Sequence, residues 1–135
     1  MKIDVPMTRI GGTLLVTLRG DLDDTAVTVI EDQVTREVAR TPTGGTLIDV
    51  SGLEVIDSFT ARVISRMVGM VRLLGSDAAV VGIQPAVALT LVEFGVPMGH
   101  LHTALNVEQG MALLRRLHSD RARCGLTCRS RPRSP

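Results

Sequence analysis

The chain has almost no aromatic residues. Trp and Tyr are absent, and only Phe59 and Phe94 carry a six-membered ring. Stacking platforms for bases or sugars are therefore excluded as a main binding device. Cysteine is nearly absent too. Cys124 and Cys128 lie close together near the C-terminus, so no disulfide framework holds the fold. No apolar run approaches the length of a membrane span, and Met1-Lys2-Ile3-Asp4 lacks a signal-peptide pattern. These absences point to a cytoplasmic location. Charge of one sign is lacking as well, with a net of +1 over 135 residues. That figure hides an asymmetry. Through Leu117 there are ten basic against thirteen acidic residues, a net of −3, and from His118 on five arginines against one aspartate. A mildly acidic body argues against a nucleic-acid-binding face.

What is present is an alternation of short apolar runs and helical periods, on a length that suits one domain with a sizeable core. Residues 7–10 and 13–19 read as strands joined by Gly11-Gly12, a hairpin signal. Asp21, Asp23, Asp24 and Thr25 cluster where a helix should begin, and Val27, Ile30, Val34 and Val38 continue at helical steps. Thr46–Val50 is a buried strand preceded by Gly44-Gly45. After it Val63, Ile64, Met67, Val68, Val71 and Leu74 mark one helix face, ended by Gly75. Residues 78–83 form another apolar strand. Pro85 opens a third helix over 86–94, His100-Leu101-His102-Thr103 reads as a last short strand, and Asn106 caps a helix from Val107 to Leu117. From His118 the apolar period disappears, so residues 118–135 read as a disordered basic tail beside a domain over 1–117. The expected fold class is α/β, with a mostly parallel central sheet, an N-terminal antiparallel hairpin and four to five helices.

The turn Val55-Ile56-Asp57-Ser58-Phe59-Thr60 stands at the centre of this pattern. Asp57 and Ser58 are both good N-cap residues for the helix that follows. Two readings of Ser58 stand together: a cap worth ~1 kcal/mol, and an accessible phospho-acceptor. Phosphate there would gain from the helix N-terminus and lose from crowding against Asp57 and Glu54. Phe59 and Met70 point away from the core face, making Phe59 a docking candidate beside Thr60. Arg62 and Arg66 follow on the same helix and are offered to acids of a partner or to solvent. The helix over 86–94, with Val87, Leu89, Leu91, Val92 and Phe94, is apolar almost all round, hence buried in the core or against a partner.

Other chemistry finds little support. His100 and His102 alternate without a third ligand near in sequence, and Cys124 and Cys128 sit where the apolar period has been lost, so no metal is expected. No phosphate loop or nucleophile elbow surrounds Ser51, Ser58 or Ser65, and Asp49 reads as a turn partner as readily as a general base. No enzyme mechanism and no cofactor follow.

With Leu-Ile-Asp-Val-Ser-Gly-Leu-Glu-Val-Ile-Asp-Ser at its centre, this order resembles the STAS domain of anti-sigma-factor antagonists over Met7–Leu117. Leu22-Asp23-Asp24, Ile56-Asp57-Ser58-Phe59 and residues 82–91 (Gly-Ile-Gln-Pro-Ala-Val-Ala-Leu-Thr-Leu) make the likeness closer to the stressosome antagonist subunit, the RsbS type. General antagonists usually carry a second Ser or Thr and then Gly after the Asp-Ser pair, where this chain has Phe59-Thr60. The resemblance implies a non-catalytic stress-response regulator that co-assembles with larger RsbR-type paralogues. Such a scaffold sequesters an RsbT-type serine/threonine switch kinase, which phosphorylates a serine matching Ser58 and leaves. A phosphatase resets the site. Asp57 matches the family's preceding aspartate. Self-association is implied, and neither nucleic acid nor membrane is an expected partner. The candidate site is thus Ser58, with Glu54, Asp57, Phe59, Thr60 and Arg62 around it for docking. The alternative is a free anti-sigma-factor antagonist switching partners outside any large scaffold. A nucleotide-binding module or small hydrolase using Asp49 and Ser58 is the rival from another class.

Overall fold

Gly11 and Gly12 take φ of +53° and +83°, left-handed values that a two-residue primed turn needs. They join β1 (Met7–Ile10) to β2 (Thr13–Arg19) with Ile10 opposite Thr13 and Met7 opposite Val16. A computed structural model describes residues 6–20, 23–41, 44–95 and 101–128, with side chains through residue 120. The elements that follow are α1 (Asp24–Arg40), β3 (Gly45–Gly52), α2 (Ser58–Leu73), β4 (Asp77–Val81), α3 (Pro85–Glu93), β5 (His102–Ala104) and α4 (Val107–Cys128).

The sheet runs β1-β2-β3-β4-β5. Only the first pairing is antiparallel, the other three being parallel. Because the order never reverses, right-handed crossovers carry α1, α2 and α3 to the same face. Residues of all three helices meet Leu14, Val16, Leu18, Ile48, Val50, Ala78 and Val80 in one core. The opposite face receives α4, where Leu114 packs on Leu47, Ala79 and Val81. Two covered faces explain why successive residues of β3 and β4, such as Leu47 and Ile48 or Ala78 to Val81, are buried instead of alternating. Gly110 lets α4 lie close to the sheet, since a Cβ there would stand 2.6 Å from Val81 and 2.8 Å from Leu47.

The expected boundaries hold where capping chemistry sets them. The Asp23 carboxylate accepts from Ala26 N at 2.7 Å to start α1, and Asn106 Oδ1 accepts from Gln109 N at 2.8 Å to start α4. Gly75, at φ +89°, closes α2: its N–H donates to Arg72 O and that of Ser76 to Val71 O, at 3.0 and 3.2 Å. This is the Schellman arrangement.

Three expectations are corrected. Leu74 is not on the buried face. It is the C-cap of α2 and 45% exposed, because the chain leaves the helix before a further turn brings it round. Helix α4 does not stop at Leu117 but continues to Cys128. Residues 118–124 contain no Gly or Pro, and Arg121, Ala122 and Arg123 favour helix without an apolar period, which then runs on through Gly125. The proposed tail therefore begins in helix, and residues 129–135 lie outside the described residues. The last strand starts later than expected, as His102–Ala104, and His100 falls outside the described residues. Of helix α3, Val87 and Leu91 are buried in the core, while Leu89 and Val92, with the C-cap Phe94, are exposed, so the core covers one side of it and the partner branch of that expectation stays open.

Candidate functional site

The parallel strands β3 and β4 end side by side, and the segment 53–57 leads from β3 into α2. Local bonds fix its course. Asp49 Oδ1 accepts from Ser51 N at 2.9 Å, as a turn partner does, and Leu53 N donates to Val50 O at 3.0 Å. Leu53 and Ile56 are buried and anchor the segment, while Val55 between them is 75% exposed. From the N-cap of α3, just past β4, Gln84 Nε2 donates to Ser51 O at 2.7 Å. Gly82, at φ +75°, brings its backbone so close that a Cβ would lie 2.7 Å from Ser51 Cβ. The exit of β3 is thus held from within and from its neighbour.

Asp57 is the N-cap of α2. It has extended backbone, and its Oδ1 accepts from Thr60 N at 2.8 Å while its carbonyl accepts from Ala61 N at 3.1 Å. The Thr60 N–H, then the Thr60 hydroxyl, hold the Asp57 carboxyl below the usual carboxylate range. Ser58 is therefore not the cap. It is the first helical residue, half-buried, and among the described residues its hydroxyl has no hydrogen-bond partner. Its position meets the unpaired N–H groups and positive end of α2.

The remaining candidates divide. Phe59 is 38% exposed, and Glu54 and Arg62 are exposed. Thr60 is 2% exposed, so as a docking residue it is withdrawn: its side chain serves the cap from inside. Arg66 is not available to a partner's acids either. Its guanidinium makes two bonds to Glu31 of α1, at 2.8 and 2.9 Å, and that carboxylate raises the arginine's pKa. Val55 is the exposed residue that the sequence reading passed over. Its signal was present, as one exposed position between two residues that anchor the turn.

This geometry offers the hydroxyl of a half-buried serine with a carboxylate before it and no imidazole on the same elements. His102 begins β5 and His118 lies on α4. Among the described residues no three of His, Cys, Asp and Glu gather as a metal site requires. The site is thus the capped start of a helix beside the end of an α/β sheet, its carboxylate bound to a backbone N–H of the helix and not to the serine hydroxyl.

The chain belongs to the STAS-domain family, whose model matches residues 4–109. Among solved structures it is similar to RsbS from Moorella thermoacetica carrying the substitution S58E, at 33% identity and TM-score 0.77, with 84% of this chain and 96% of that one covered. A chain from the molecular architecture of the stressosome, a signal integration and transduction hub, is also 33% identical, with TM-score 0.75 and coverage of 83% and 97%. The likeness to the stressosome antagonist subunit thus holds. The Bacillus cell fate determinant SpoIIAA shares the fold: its phosphorylated form aligns at TM-score 0.62 with 13% identity, covering 82% of this chain and 99% of that one. The RsbT co-antagonist protein RsbRB of Bacillus subtilis is 28% identical over 99 residues, 73% of this chain and 36% of that protein. The chain spans about a third of the length of the curated relatives it matches. No described helix is long and apolar enough to cross a membrane.

Proposed function

We propose that this STAS protein is a non-catalytic, phosphorylatable regulator of the bacterial general or environmental stress response. It builds a mixed cytoplasmic scaffold with larger RsbR-type paralogues, captures an RsbT-type serine/threonine switch kinase, and releases it when Ser58 is phosphorylated. A phosphatase restores the hydroxyl. Val55, Phe59, Glu54 and Arg62 border the docking face, and Asp57 holds the helix end beneath it.

The observation that carries this reading is the division of labour at the start of α2. Asp57 caps the helix, which leaves the half-buried Ser58 with its hydroxyl unpartnered among the described residues. Phosphate there adds about two negative charges beside the Asp57 carboxylate, changing a docking surface without touching the core. Relatives lend support. Four are described as RsbT co-antagonists, and one solved relative carries a negative charge in place of a serine hydroxyl.

Incubation with the cognate kinase and ATP should label Ser58, and a Ser58→Ala variant should remain unlabelled. Equal labelling of that variant rejects the assignment. Size-exclusion chromatography with the larger paralogue separates the scaffold from the free antagonist: particles far larger than a dimer support the first, a monomer or dimer the second.

A further inference from the structure

At the amino-terminal end of the parallel strands, roughly 20 Å along β3 from the Ser58 turn, lies a cleft of about 310 Å³ between two glycine turns and α4. Gly11, Gly12 and Gly44 form one wall, and Gly44 N donates to Gly12 O at 3.1 Å, tying the turns together. A Cβ on any of the three would meet nothing within 4 Å. No side chain of theirs therefore stands between the cleft and a ligand. Arg115, His118 and Ser119 form the other wall, positions one helical turn apart that share a face. Leu114 is the floor, and Gly45 brings α4 down onto it: a Cβ there would stand 2.8 Å from Leu114 Cδ1.

The chemistry of this lining is one-sided. Among the described residues no carboxylate borders the cleft. Among the described residues Arg115 has no ion pair, whereas Arg9, Arg36, Arg40 and Arg66 each have one. Arg115 brings a fixed positive charge to this lining, on a domain whose first 117 residues carry a net −3. A guanidinium that presents parallel donors, an imidazole and a hydroxyl suit a tetrahedral oxyanion. The volume lies at the lower end of the range for small-molecule sites, and the apolar floor leaves a place for more than the anion itself.

We infer that this cleft binds a phosphate group carried by a small molecule, with Arg115 as its main ligand and His118 and Ser119 beside it. The site is separate from the Ser58 turn and does not rest on the function proposed for it.

Titrations of the full chain followed by amide NMR, with inorganic phosphate and with adenosine monophosphate as separate probes at constant ionic strength, test this. Saturable shifts should appear at Gly11, Gly12, Gly44 and Ser119. Arg115→Gln should weaken them about tenfold or more, the loss of one charge-assisted contact, while Arg36→Gln on α1 leaves them unchanged. Tighter binding of the nucleotide identifies a phosphorylated small molecule as the occupant, and equal binding of the two assigns the same site to the free ion. The inference is overturned if neither probe gives saturable shifts, if sodium chloride gives the same shifts, or if Arg115→Gln binds as well as the parent.

Discussion

Replacing Asp57 by Ala should cost the protein what replacing Ser58 by Ala does not. The Asp57 carboxylate holds the Thr60 N–H at 2.8 Å, at a helix start where the first N–H groups have no partner within the helix. Losing such a cap costs about 1 kcal/mol, within a range of roughly 0.5–2. For a chain of this length that lowers Tm by about 3–6 °C. Ser58, as the first helical residue without a bond among the described residues, should change stability by no more than about 0.5 kcal/mol when it becomes Ala. Asp57→Asn retains an acceptor and should recover most of the loss. With no Trp to report unfolding, urea titration by far-ultraviolet circular dichroism is the suitable assay. Two results refute the reasoning: Ser58→Ala as destabilising as Asp57→Ala, or Asp57→Ala as stable as the parent. The first would mean that the Ser58 hydroxyl closes the helix as much as Asp57 does, the second that the Asp57 bond adds nothing to it.

Acid should expose the same cap. The folded pKa of Asp57 is depressed, so its contribution is complete above the ordinary aspartate value of 3.8 and fades as pH falls through the lower folded value. The stability advantage of the parent over Asp57→Ala, measured by urea titration at stepped pH, should shrink in that window and persist at neutral pH. Gly110→Ala gains about 1 kcal/mol of helix propensity. It must also force a methyl to within 2.6 Å of Val81, and overpacking of 1–3 kcal/mol, roughly, should leave it destabilised. The same substitution at Gly69, where a Cβ meets nothing within 4 Å, should stabilise by about 0.5–1 kcal/mol in the same titration. Arg66→Ala should cost at most about 1 kcal/mol, and less in high salt, because its pair with Glu31 lies on the surface; a salt-independent loss in thermal melts would contradict that.

Much of this fold was legible from spacing. Val27, Ile30, Val34 and Val38 recur at helical steps and are all buried, and the apolar-rich run at 46–50 became a strand covered on both faces; the run at 78–83 did so only through Val81, where Gly82 at φ +75° ends the strand. Asn106 and Gly75 announced their helix ends through chemistry that belongs to single residues. What spacing could not rank was Asp57 against Ser58, since both residue types cap helices about equally well and they stand one position apart. Nor could it find the partner of Arg66, because Glu31 is remote in sequence and only the packing of α1 on α2 brings the two together. Helix α3 shows a different limit. Composition states that a helix is apolar, while burial depends on how much of it the sheet can cover, and here Leu89, Val92 and Phe94 are left outside.

The one-way march of the sheet bears on how the protein comes off the ribosome. With three helices assigned to one side, the underside of β3 and β4 stays open to water until residues 107–117 have been synthesised. Leu47, Ala79 and Val81 must wait for the last helix to shelter them. A nascent chain halted before Val107 would carry a bare apolar underside, and chaperone capture should peak at that length and fall once Leu114 has emerged.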